Sequence, residues 1–574
     1  MKKIAIFIFL MFLPRIASAD YSGVCGDGVV FTFEESTGTL TISKTTDNPE
    51  QYSGAMTNYS KADWRAWHSY RGQICKVVIN EGVTTIGDKA FLYCTYMTSI
   101  EIPSSITMIG KESFERCMGL TSLTIPESVT TIGDYAFSSC EGLLELTIPN
   151  SVSSFGNSVF HNCTSLTSIA IPDNWSTIKE SSFSCCKSLT SVIIPNNIRT
   201  IEESAFAACD NLVSVKISNS LTSIGDYAFS GCTNLSSVII PNGVTSIGKN
   251  AFRYCSNLSS VIIPNSVTSI GEGAFYDCVG LSSVELSENL ASIEGFDGCC
   301  SLTNITIPIG VKKIGNRAFS RCSGLISVSI PESVTSIGES AFSECSGLIS
   351  ITIPDGINEI GDGAFSNCKE LSSIIIPSAL NKINKGTFYG CSAIKLLTIP
   401  KNVESINDYA FSECGLKEVI ALPEAPPALS NNAFSNYNIT LKVTDSAKDA
   451  YLKTSTWSVF SKIETVSGEE LNKNKVEKPI ISIENGKLTF NCDTEDVEYH
   501  WSIRNCNDND GIGNDVPFPQ KMIVTVYASK PGWINSDVTT KELSYSGLVG
   551  DANSDGVINT VDIVEIVNII MGVQ

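Results

Sequence analysis

Residues 235–255 read Leu235-Ser-Ser-Val238-Ile239-Ile240-Pro241-Asn-Gly-Val244-Thr-Ser-Ile247-Gly248-Lys-Asn-Ala251-Phe252-Arg-Tyr-Cys255, and this run decides the fold. Val238 and Ile240 lie two apart, the spacing at which a short strand turns both side chains to one side. Pro241 lacks a backbone donor and ends the ladder. Gly248 permits a tight turn or a close backbone approach. Ile247, Ala251 and Cys255 follow at intervals of four and four, which predicts one or two helical turns facing a core. So short a run cannot bury these groups alone. It must stack on copies of itself.

The copies are there. Phe91 to Phe275 recur every 23 residues, Phe296 follows after 21, and Phe319 to Phe434 resume the interval of 23. A cysteine stands three residues after each of the first fifteen, from Cys94 to Cys414. Periods of about 20–29 residues belong to leucine-rich repeats. The pattern Leu-x-x-Val-x-Ile-Pro-x-x-Val-x-x-Ile-Gly-x-x-Ala-Phe-x-x-Cys resembles the BspA-like leucine-rich-repeat family of bacterial, and some protist, surface proteins. The resemblance covers residues 76–436 and implies an adhesin-like role. The fold expected is an α/β-type repeat solenoid of 23-residue rungs. The rung of Phe296, two residues short and carrying Cys299-Cys300, is expected to break the regular curvature.

Twenty-one cysteines in an exported chain would ordinarily suggest a disulfide scaffold. Their recurrence once per rung instead predicts a buried ladder of free thiols, since cysteine behaves as a small hydrophobe and parallel side chains favour stacking over bonding. Cys25 with Cys75, and Cys492 with Cys506, are the better disulfide candidates. Cys185 and Cys300 adjoin ladder positions.

The N-terminus reads as an export signal. Lys2 and Lys3 precede an apolar run from Ile4 to Leu13, and Ala17-Ser18-Ala19 forms a cleavage pattern before Asp20. That run is too short to span a bilayer. Residues 20–75 read as an N-terminal β cap, with a hairpin from Val29 to Ser43 turning at Gly38 and with Trp64 and Trp67 as core anchors. Residues 437–466 read as a C-terminal cap with a helix at Ala447 to Leu452, and 467–476 as a linker. Residues 477–546 show alternating strand runs separated by Gly/Asn/Asp turns and read as a small β-sandwich-like domain.

One segment carries a metal pattern. Residues 551–562 place oxygen-bearing side chains at loop positions 1, 3, 5, 9 and 12 with glycine at 6, the wrap that calcium requires. The expected ligands are Asp551, Asn553, Asp555 and Asp562, with the Val557 carbonyl and with Asn559 acting through water. Residues 549–574 then form a single EF-hand-like loop–helix that resembles half of a dockerin. Dockerins pair two such units, so cohesin binding is not implied.

The charge is −21, from 60 acidic against 39 basic residues. With no Lys/Arg stripe, nucleic-acid partners are excluded. Three histidines, His68, His161 and His500, and the lack of any nucleophile or phosphate-loop motif argue against an enzyme. Binding is the expected function, with an extracellular or cell-surface protein, such as a matrix component or glycoprotein, as partner. A passive structural scaffold is the alternative. Along the expected concave face one outward row runs from Glu101 to Ile420 and a second, largely serine, from Ser99 to Ser373. Ile193, Ile239 and Ile262, around Lys216, interrupt this hydroxyl-rich surface and mark an expected partner site. The competing reading is that β-branched residues simply suit strands.

Overall fold

The computed structural model describes residues 21–61 and 65–466, together with the backbone of five strands within 480–544. By backbone contacts the chain divides into two compact units, Met1–Val238 and Ile239–Gln574.

The first unit opens with a sheet that closes the end of the rung stack. Strands β1 (Tyr21–Gly26), β2 (Val29–Glu34) and β3 (Thr39–Lys44) pair antiparallel, with Gly38 at φ +66° in the β2–β3 turn. Strand β4 (Lys76–Ile79) then runs parallel to β3 and starts the repeat register. The registers set Tyr21 level with Phe33, Leu40 and Val77 across the four strands. Cys75 and Cys25 therefore lie six residues apart along the strands, roughly 20 Å, and three strands apart. Both thiols are free, which removes the Cys25–Cys75 pairing. Cys492, Cys506 and Trp64 lie outside the described residues.

Each rung but that of Leu371, which contributes only Lys382–Ile383, contributes two short strands. Ser191–Ile193 pairs in parallel register with Ser214–Lys216, and Thr200–Ile201 with Ser223–Ile224. The second unit repeats this scheme, for example in Ser327–Ser329 against Ser350–Thr352.

The segment between the strands corrects the α/β expectation. The four-and-four spacing is not helical here. Cys186 N–H donates to Phe183 O (3.3 Å) and Ser184 N–H to Ser181 O (3.2 Å), closing successive turns. The intervening donors leave the rung: Ser181, Phe183 and Cys185 bond the carbonyls of Glu203, Ala205 and Ala207 at 2.7–2.9 Å. Ser181 (φ 52°) and Cys185 (φ 62°) sit in the left-handed region, which no α-helix tolerates. Alternate donors thus serve the neighbouring rung, and the result is a β-solenoid. The only α-helix among the described residues is Lys448–Lys453, in the terminal cap. The EF-hand-like loop–helix belonged to the same expectation and has no counterpart among them.

The core is a stack of phenylalanines. From Phe91 to Phe229 in the first unit, ring centroids of successive rungs lie 5.1–5.8 Å apart and nearly parallel. From Phe252 to Phe434 in the second they lie 5.2–5.8 Å apart. Beside the rings run the thiols, whose S–H groups donate to the phenylalanine carbonyl one rung back, as in Cys209 to Phe183 O (3.2 Å) and Cys345 to Phe319 O (3.1 Å).

Both stacks have aromatic ends. Trp67, fully buried, stacks on Phe91 at 5.6 Å and donates its indole N–H to Ala90 O at 2.9 Å. Trp457 stacks on Phe460, which meets Phe434 edge-on, and donates to Pro427 O at 2.8 Å. Trp67→Phe keeps the ring contact but strands the Ala90 carbonyl. A loss of about 1–3 kcal/mol is expected in urea denaturation; an unchanged midpoint would show that this bond carries no stability.

Beyond the cap, Ile480–Glu484 pairs antiparallel with Lys487–Asn491. Glu498–Asn505, Lys521–Ser529 and Thr539–Ser544 form an antiparallel three-stranded sheet.

Candidate protein-binding surface

The first strand of each rung turns its middle residue inward and its flanks outward, so the outward rows follow from the two-residue strand period. In the first unit Ser122, Thr124, Thr147, Ser168, Ala170, Ser191 and Ser214 are exposed. Ile193 is 66% exposed in the same row, and Lys216 is exposed in the next rung. In the second unit Ile239 is 79% and Ile262 61% exposed. These two side chains occupy the same position of consecutive rungs.

Some outward positions do not face water. Ser350 and Ile420 are buried, and Ser329, Thr352 and Thr398 are half-buried. Lys442 and Glu418 form an ion pair of 3.1 Å at the same end. The alternation of a strand sets which way a residue points; it does not say what lies above it.

Other exposed apolar groups escaped the two-row reading. Leu144 and Val213 in the first unit, and Ile326 and Ile349 in the second, are 40–51% exposed. Each directly follows the inward leucine of its rung, where other rungs carry Thr190, Ser236 or Ser259. That departure from the repeat was the available signal.

The ladder thiols offer no chemistry. Burial pushes Cys94, Cys140 and Cys278 up to about 12, so they stay protonated at neutral pH. His68 lies against the Arg71 guanidinium at 2.8 Å, and half-buried His161 has its pKa lowered by burial. Among the described residues no group of three His, Cys, Asp or Glu side chains is placed to hold a metal. The calcium expectation is corrected accordingly. Six or more oxygens must converge on calcium, and a loop pattern in sequence names oxygens without showing their convergence. Asp551, Asn553, Asp555, Val557, Asn559 and Asp562 themselves lie outside the described residues. No described helix is long and apolar enough to cross a membrane.

Known proteins bear on this surface through the repeat. Residues 68–190, 176–295, 294–417 and 381–503 match the family described as BspA type leucine-rich repeat region. A leucine-rich repeat protein of Bacteroides ovatus is 29% identical with a TM-score of 0.54, over 68% of this chain and 98% of that one. A leucine rich cell surface protein of Faecalibacterium prausnitzii is 30% identical with a TM-score of 0.39, over 60% of this chain and 96% of that one. No curated protein matches. The matched segments span more than half of the sequence. The chain belongs to the BspA-type leucine-rich-repeat family.

Proposed function

We propose that this chain is an extracellular or cell-surface binding protein that recognises a protein partner through its outward strand rows. The pair Ile239 and Ile262 carries the reading. Every rung solves the same folding problem, so a residue that the fold needs should recur in all of them; besides this pair only Ile193, Ile375 and Ile420 are isoleucine, and the remaining rungs fill this position with threonine, alanine, lysine, glutamate or serine. Two isoleucines more than 60% exposed in consecutive rungs are not explained by packing. Adjacent exposed apolar groups of this kind mark protein contacts. Ile193 and Lys216 add an apolar and a cationic contact in the first unit. The export signal of residues 1–19 supports placement outside the cell.

The test is binding of the purified mature chain to a panel of matrix proteins and glycoproteins, followed by the double variant Ile239→Ser, Ile262→Ser against the best binder. A loss of affinity of about tenfold or more is expected, as for an interface anchor worth over 1 kcal/mol. Unchanged affinity would move the site elsewhere. Saturable self-assembly with no binder in the panel would favour a scaffold.

A further inference from the structure

The short rung poses a problem that its neighbours do not have. A regular rung sets four residues between Ile247 and Phe252; the short rung sets two, Glu294 and Gly295, between Ile293 and Phe296. What is lost is a left-handed residue like Asn250 (φ 52°), whose N–H reaches the next rung at Glu272 O (3.0 Å). Gly295, at φ +100°, takes over the role of the usual alanine and accepts the Phe275 N–H at 2.8 Å. The rings still stack, at 5.2 Å to Phe275 and 5.8 Å to Phe319. The backbone therefore crosses this fault with fewer ties.

Side chains supply the missing tie. Asp277, Gly298 and Arg321 hold the same position in three consecutive rungs, each two residues after its phenylalanine. Arg321 reaches across Gly298 to Asp277, with Nη1 3.0 Å from Oδ1. The same guanidinium holds Asp297 Oδ1 through Nη2 at 2.8 Å and Nε at 2.9 Å, and it lies 5.0 Å from the centre of the Tyr276 ring. Glycine in the middle leaves room for the reach: a Cβ at Gly298 would stand 1.9 Å from Asp277 Oδ1 and push that carboxylate aside. The Asp297 side chain is 6% exposed. Burial pushes its carboxyl up, and Arg321 draws it back. A buried carboxylate stripped of its arginine is left uncompensated, which is strongly destabilising.

We infer that Arg321 is a latch across the short rung. It fastens the rung of Phe275 to the rung of Phe319 over the rung of Phe296, and releasing it makes this fault the first place where the second unit opens. The buried thiols report on it. Cys278, Cys299 and Cys322 are buried, whereas neighbouring Cys300 is exposed and serves as the thiol expected to react at the same rate in every variant.

The experiment is pulsed alkylation of the full mature chain at neutral pH, read cysteine by cysteine by mass spectrometry. Arg321→Ala and Asp277→Asn are compared with the parent. Asp277→Asn leaves the Arg321–Asp297 pair intact and keeps the proposal testable even if Arg321→Ala does not fold. Alkylation of Cys278, Cys299 and Cys322 is expected to accelerate roughly tenfold or more in Arg321→Ala, and by a smaller factor in Asp277→Asn. Cys140, Cys163 and Cys186 should keep their parent rates. Unchanged rates at the three reporters, or equal acceleration along the whole ladder, would overturn the latch.

Discussion

Phe183→Ala is expected to lower the unfolding free energy of the first unit by about 3–5 kcal/mol, the range for deleting a buried aromatic ring. The ring is fully buried and stacks on Phe160 at 5.8 Å and on Phe206 at 5.4 Å. Its removal opens a cavity against both neighbours at once. The cavity cannot collapse readily, because the backbone on either side is fixed: Phe183 N–H bonds Ala205 O and the Phe183 carbonyl accepts the Cys209 thiol. The urea midpoint should fall while Ser168→Ala, an exposed change in the same rung, shifts stability by no more than about 0.5 kcal/mol. Similar midpoints for the two variants would mean that the rings fill space without bearing load.

Alkali should be the second sharp test. In the folded chain burial raises Cys94, Cys140 and Cys278 from 9.0 to about 12. Between those values the folded state keeps protons that the unfolded state has released, so stability falls as pH rises. Below 9 the contribution is present in full. A single thiol shifted this far corresponds to on the order of 4 kcal/mol by pH 12. The ladder holds many such thiols, so the chain should unfold well before that pH. Circular dichroism from pH 7 to 11 should show a cooperative loss beginning just above 9. The triple variant Cys117→Ala, Cys140→Ala, Cys163→Ala should move this alkaline limb upward while losing some stability at pH 7. Tyr59, which burial raises to about 12, is common to both chains and cancels in the comparison. A limb that stays in place would assign alkaline unfolding to tyrosine or lysine.

The repeat made much of the fold legible. Val238 and Ile240 announced a strand, Pro241 its end, and the recurrence of Phe and Cys a shared core. The turn segment was harder because four-residue spacing serves an α-helix and a pair of successive turns equally well. What distinguishes them is the destination of alternate N–H groups, and a single rung does not contain that destination. A hint was present: the position two after phenylalanine carries Gly231, Asn162, Gly298, Asn367 and Gly390, residue types suited to left-handed backbone. The candidate surface was legible where alternation alone decides exposure, as at Ile193, Ile239 and Ile262. It failed at Ser350 and Ile420, whose burial depends on what covers the strand. The latch was invisible because Asp277 and Arg321 are 44 residues apart and meet only when three rungs are stacked.

Within each unit, away from the cap, each rung takes its bonds from the rung before and gives them to the rung after. An inserted or excised rung would therefore find the same partners as its predecessor, and Trp67 and Trp457 would still meet a phenylalanine. Gene duplication can thus lengthen or shorten this molecule in whole repeats with little penalty at the join, whereas a slip of one or two residues demands a repair such as the one around Phe296. Reach becomes an inheritable variable that is separable from foldability.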